Sequence, residues 1–224
     1  MDTISLAALK AALIYTAQQI IDSEGRLTEL DTIIGDGDHG IGMREGFSAL
    51  KKLLSATEYP NAFELFKASG IELLRTMGGA SGVIFGTLFT GGYGAVQGKT
   101  SLTADDLIAF FEQSAQAIMK RGRSAPGDKT MLDALVPAVQ AMKQRRQTTA
   151  SPKEILLAAA KGAEEGAKAS EQMLPKTGRS KNFREQALGY PDPGAVSVSI
   201  LFRSLYEGIL LHNKEISNEW QWNV

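Results

Sequence analysis

The chain of 224 residues contains no cysteine, which excludes disulfides, thiolate nucleophiles and zinc–thiolate sites. That absence suits a reducing compartment, and a cytoplasmic location is the expectation. With two histidines, a His-rich metal site is also out of reach. Neither charge sign is in excess: Lys plus Arg is 24 against 25 for Asp plus Glu, so no general attraction draws the chain to nucleic acid or to an anionic membrane. Any anion site must therefore be local. The start of the sequence shows no basic segment followed by an apolar run, and no stretch approaches the roughly 18 apolar residues of a membrane span. Proline is scarce at 7 while glycine reaches 23, a balance that points to close helix packing and functional loops. No composition shift marks a linker, so one domain is expected over 1–224.

Helical spacing dominates what is present. Leu6, Leu9, Leu13, Ala17 and Ile20 recur at three and four, predicting an amphipathic helix from Ser5 to Asp22. Glu24-Gly25-Arg26 reads as its end, with a short turn through Leu27 to Leu30. A second helix is predicted over Gly40 to Leu54, and a third opens at Pro60-Asn61 and stops at Gly78-Gly79. The bare loop Gly78-Gly79-Ala80-Ser81-Gly82 leads into a buried fourth helix, where Gly86, Gly91, Gly92 and Gly94 predict close helix contact or a local break. Ser101 to Lys120 and Met131 to Met142 give the fifth and sixth, the latter carrying Pro137, which should kink it. Ser151-Pro152 opens a seventh to about Met173, and Asp192-Pro193-Gly194-Ala195 opens the last. Eight helices, short connections and no convincing strand predict an all-α, up-and-down architecture. Between Leu174 and Tyr190 lies a polar loop with Lys176, Arg179, Lys181 and Arg184, of a length that can cover a nucleotide site. The tail through Trp220 and Trp222 is polar with exposed-looking aromatics.

The stretch from Thr28 to Met43 sets Asp31, Asp36 and Asp38 among four glycines just ahead of a helix start. Three carboxylates gathered within a few ångströms raise one another's pKa unless a cation joins them. Hard oxygen ligands favour Mg²⁺ or Ca²⁺, and Mg²⁺ is usually held by a few carboxylates together with substrate phosphates. The opposing reading is a plain turn, since Asp and Gly both favour turns for local reasons. An EF-hand fails on spacing, because the ligand position two after Asp38 is Gly40 and the twelfth loop position is Phe47. A helix N-terminus behind the loop, with its unpaired N–H groups and positive dipole end, suits phosphate.

Four segments now stand out: Gly35-Asp36-Gly37-Asp38-His39-Gly40, Gly78-Gly79-Ala80-Ser81-Gly82, Pro126-Gly127-Asp128-Lys129-Thr130-Met131 and Asp192-Pro193-Gly194-Ala195. In that order, and over nearly the whole chain, they resemble the nucleotide-binding L subunit of bacterial dihydroxyacetone kinases. The resemblance implies an eight-helix barrel with a nucleotide-binding funnel at one end, for ADP or ATP with two Mg²⁺. It implies that Asp31, Asp36 and Asp38 are the catalytic magnesium ligands. By the same resemblance His39, Gly40, Ile41, Gly42, Ala80, Ser81, Gly122, Met131, Arg179, Asp192, Pro193 and Gly194 are nucleotide contacts. Gly42 stands where related sequences often have Asn, which removes one side-chain contact near the phosphates. The family's ketose is held covalently by a histidine on a separate K subunit. His39 lies in the metal loop and His212 near the end of the last helix, so neither supplies that histidine.

The function implied is phosphoryl transfer to dihydroxyacetone or a related short ketose on the K subunit, with ADP recharged by a phosphoenolpyruvate-dependent phosphocarrier. In a second version ATP exchanges freely. A third role, of a different class, is a binding protein whose nucleotide state signals to a transcription regulator. The related domain of fatty acid kinases shares the Asp-Gly-Asp loop but typically has Thr where this chain has His39. A homodimer is the expected assembly.

Overall fold

The computed structural model describes residues 2–221, with side chains for residues 2–213 apart from Arg179. The expectation for Trp220 and Trp222 lies outside the described side chains. Among the described residues, nine α-helices follow in order: α1 (Leu6–Asp22), α2 (Glu24–Ile34), α3 (His39–Ala56), α4 (Ala62–Thr76), α5 (Gly79–Thr90), α6 (Ala104–Gly122), α7 (Leu132–Arg146), α8 (Pro152–Ala169) and α9 (Pro193–Gln221). The all-α class holds. A two-residue antiparallel pairing of Ile4–Ser5 with Ser101–Leu102 straps the start of α1 to the start of α6.

Starts are set locally. The Ser5 hydroxyl accepts from the Ala8 N–H (3.1 Å) and the Asn61 side chain from the Glu64 N–H (3.0 Å), each satisfying a donor that a helix start leaves open. At α6 the cap is Thr103 with Asp106, which bond each other's backbone N–H groups reciprocally. Pro152 opens α8, where its missing N–H costs nothing.

Eight helices close a ring. Around it α1 packs on α3, α3 on α4, α4 on α5, α5 on α6, α6 on α7, α7 on α8, α8 on α9, and α9 back on α1. Apolar stripes face inward, and Phe66 stacks on Phe110 at 4.0 Å while Phe111 meets Phe202 at 4.6 Å across the interior. Small residues let staves approach: a Cβ on Gly166 of α8 would lie 2.1 Å from the Asp133 carbonyl of α7. On the other side Gly86 of α5 faces Gly70 of α4, which meets the expectation of close contact; α5 itself ends at Thr90, before Gly91.

α2 corrects the expected turn at Leu27 to Leu30. Residues 24–34 are helical, and among the described residues this is the one α-helix that is not a stave. Of its four large apolar residues only Leu27 and Ile34 are buried, and Arg44 pairs with Glu24 at 2.9 Å to hold it on α3. A second correction concerns apolar length. Pro193–Asn213 is long and apolar enough to cross a membrane by composition, but here it is a stave whose Val198, Phe202 and Leu205 lie in the core.

Candidate functional site

At one end of the ring lies a cavity of about 390 Å³, within the usual range for small-molecule sites. Four helix starts open on it. α3 contributes His39, Ile41 and Gly42, α5 contributes Gly79, Ala80 and Ser81, the turn into α7 contributes Thr130 and Met131, and α9 contributes Pro193 and Gly194 behind Asp192. The starts of α3 and α5 present backbone N–H groups and the positive end of a dipole, which favour an anion, whereas the Thr130, Leu132 and Asp133 N–H groups at α7 and the Ala195 N–H at α9 are taken up by local acceptors. Gly78 and Gly79 both have positive φ (64° and 55°), which side chains other than glycine adopt with strain. No atom stands within 4 Å of where their Cβ atoms would be, so this stretch of backbone is open to a ligand.

Beside the start of α3, on the same cavity, stand Asp31 at the end of α2 and Asp36 and Asp38 in the loop to α3. One oxygen from each can be chosen so that all lie within 4.8 Å of one another. Asp31 is buried and accepts a hydrogen bond from the His39 N–H at 3.1 Å, which fixes it on the first turn of α3. Three converging carboxylates form an all-oxygen donor set that suits a hard divalent cation such as Mg²⁺, with room for ligand oxygens to complete its shell.

His39 is buried at the cavity floor and bridges two staves. Its Nε2 lies 2.9 Å from the Ser197 Oγ, and its Nδ1 lies 3.4 Å from the Ser81 Oγ. When the Ser197 hydroxyl donates to the Pro193 carbonyl, its lone pair accepts from Nε2–H and Nδ1 is left to accept from Ser81. Burial holds the ring neutral by lowering its pKa, against the pull of Asp31. Asp192, fully buried, caps α9 by accepting from the Ala195 N–H at 2.8 Å. Burial pushes its carboxyl up to about 7.

Not every residue singled out from the sequence reaches the wall. Gly40 does not: a Cβ there would meet the Thr28 Oγ1 at 2.2 Å and the Glu24 carbonyl at 2.4 Å, so its smallness serves the packing of α3 on α2. Gly122, at the end of α6, also sits off the wall. Arg179 lies between the wall residues Gly178 and Ser180, and its side chain falls outside the described ones. In the other direction, Lys129 lines the cavity although its sequence context gave it no role. The apolar side of the cavity, with Met77, Ile84 and Phe85, likewise came only from the fold, since these residues read as helix core. Thr177, Gly178 and Ser180 bring the polar segment after α8 onto the wall.

Residues 33–207 match the model of the DAK2 domain. The chain belongs to the DAK2 domain family. Within the DAK2 match fall Asp36 and Asp38, while Asp31 lies just ahead of it. Among DAK2 relatives, the chain is 38% identical over 179 residues to the ADP-binding subunit DhaL of a PEP-dependent dihydroxyacetone kinase from Escherichia coli (strain K12), covering 80% of this chain and 85% of that protein. It is likewise 38% identical over 185 residues to the ADP-binding subunit DhaL of PEP-dependent dihydroxyacetone kinase 2 from Listeria innocua, covering 82% and 85%. The fold superposes with a TM-score of 0.70 and 27% identity on the dihydroxyacetone kinase from C. freundii, solved in complex with AMP-PNP and Mg²⁺. That alignment covers 90% of this chain and 34% of the larger kinase.

Proposed function

We propose that this chain is the nucleotide-binding subunit of a dihydroxyacetone-type kinase, holding ADP or ATP with two Mg²⁺ and passing a phosphoryl group to a short ketose on a separate K subunit. The observation that carries the reading is that the Asp31, Asp36 and Asp38 trio and four helix starts line one cavity. Relatives named as ADP-binding subunits of the same kind of kinase support it.

Phosphoryl transfer needs positioning and charge neutralisation more than covalent help from the protein. Asp31, Asp36 and Asp38 would hold Mg²⁺, which when bound supplies charge neutralisation at the phosphate oxygens. The N–H groups at Gly79, Ala80 and Ser81 and at the start of α3 hold the phosphates in one orientation. Met77, Ile84, Phe85 and Met131 form a dry wall for the base. Neutral His39 keeps Ser81 aligned and adds no charge to the floor.

Among the described residues, the cavity wall has no amine or imidazole free to capture a ketone. His39 is tied to Ser81 and Ser197, and the Lys129 ammonium is tied to two backbone carbonyls. The ketose therefore arrives on a partner. Exposed Ile41 on the wall, with exposed Leu174, Leu188 and Tyr190 on the segment beside it, gives that partner an apolar rim to dock on. The nucleotide is recharged in place by a phosphoenolpyruvate-dependent phosphocarrier, in the cytoplasm. Reconstitution tests this: the chain with dihydroxyacetone, Mg²⁺ and ATP alone shows no turnover, and turnover appears when purified K subunit is added with phosphoenolpyruvate and its phosphocarrier proteins. Turnover by the chain alone refutes the subunit reading; turnover with K subunit and ATP, and none with phosphoenolpyruvate, refutes the recharging step.

A further inference from the structure

Lys129 is the one large cation among the fully buried side chains of the described residues, at 1% exposure. A lysine on the wall of an anion cavity is ordinarily read as a phosphate ligand, but its ammonium is already committed. Its Nζ donates to the Ser170 carbonyl and to the Tyr190 carbonyl, both at 2.7 Å. Those carbonyls stand at the two ends of residues 171–189, the segment that carries Thr177, Gly178 and Ser180 to the cavity wall. Beside them the Gly189 N–H donates to the Glu171 carbonyl at 2.9 Å, so the segment is drawn in at a narrow neck.

The lysine is itself held rigidly. Its backbone takes a left-handed conformation, φ 58°, which a side chain adopts at some cost unless its surroundings dictate it. They do: the Asp133 carboxylate accepts from both the Gly127 and Thr130 N–H groups, clamping the loop around Lys129 onto the first turn of α7. The same loop reaches the segment again where the Lys176 N–H donates to the Asp128 carbonyl at 3.1 Å. Burial lowers the ammonium's pKa, and the nearby carboxyls of Asp192, Glu171 and Asp133 oppose that shift only in part.

We propose that Lys129 is a positioning residue, a pin through the neck of residues 171–189 that sets Thr177, Gly178 and Ser180 on the cavity wall before any ligand arrives. It acts through those residues and touches no phosphate. Removing the ammonium takes its donor from the Tyr190 carbonyl, leaves the buried Ser170 carbonyl with only the Met173 N–H, and frees both ends of the segment together. The wall then has to be ordered at the moment of binding, which weakens affinity without altering the carboxylate trio.

Hydrogen exchange on the full chain without ligand tests the pin. Lys129→Met, which keeps the apolar stem, is expected to speed exchange about tenfold or more within 171–190 and to leave α1 and α8 unchanged. Lys129→Ala is expected to behave alike, and n-propylammonium, which can refill the vacated space, to restore slow exchange. A second arm rests on the nucleotide reading above: Lys129→Met should weaken ADP binding in the presence of Mg²⁺ about tenfold while Mn²⁺ binding to the trio stays as in the wild type. Wild-type exchange in Lys129→Met overturns the proposal, and weakened ADP binding alongside it would make Lys129 a direct ligand. Faster exchange throughout the chain, or failure of both variants to fold, also overturns it, since a neck pin is dispensable to the ring. Failure of the nucleotide reading shows differently, as wild-type protein that binds no ADP, and leaves the exchange result standing.

Discussion

Asp192 makes the stability of this fold depend on pH. Its carboxyl is buried at the start of α9, and moving it from an ordinary 3.8 to about 7 corresponds to about 4 kcal/mol between charged and neutral forms, at ~1.36 kcal/mol per pH unit. Because the folded value is raised, the folded chain holds this proton more tightly than the unfolded one. The associated stability is complete below pH 3.8, declines as the unfolded carboxyl ionises, and is spent once the pH has passed about 7. Asp192→Asn keeps an acceptor for the Ala195 N–H and cannot ionise. In urea unfolding of the ligand-free protein, wild type is expected to lose about 4 kcal/mol relative to the variant between pH 4 and pH 8. His39 slopes the other way, since its lowered value costs stability as the pH falls below 6.5, but it is present in both proteins and leaves the difference. Parallel stability profiles for the two proteins would refute the reasoning.

Two further outcomes follow from the geometry. Asp36→Asn or Asp38→Asn is expected to abolish the rise in melting temperature given by ADP with Mg²⁺ while leaving helical circular dichroism unchanged, because both residues sit in a loop outside the core; variants still gaining several degrees would remove the metal assignment. Gly166→Ala should destabilise the fold by about 1–3 kcal/mol or more, since its Cβ would fall 2.1 Å from the Asp133 carbonyl and the α7–α8 contact must open; an unchanged denaturation midpoint would contradict that contact.

Periodicity made eight staves legible, because each buries an apolar stripe that recurs at helical spacing. α2 escaped for a physical reason: it buries only Leu27, Asp31 and Ile34, and Glu24-Gly25-Arg26 resembles a helix end while in fact joining two helices. The glycine loops were readable as ligand-facing starts, yet their convergence on one cavity comes from ring closure, which pairs α1 with α9 across almost the whole sequence. Gly40 and Lys129 show the limit in opposite senses. A glycine beside an acidic loop reads as a ligand contact, while the space that its missing Cβ would need is filled by Thr28 and the Glu24 carbonyl, which the sequence does not show. A lysine in a polar loop reads as solvated, and its burial depends on carbonyls 41 and 61 residues away.

The carboxylate trio is divided between two kinds of support. Asp36 and Asp38 belong to the loop that enters a stave, whereas Asp31 rides on α2, which leans on the barrel from outside and is fastened by Glu24 to Arg44 and by the tight seat of Gly40. The geometry of the acidic cluster therefore depends on how α2 is seated, through buried Leu27 and Ile34, as well as on the closure of the ring.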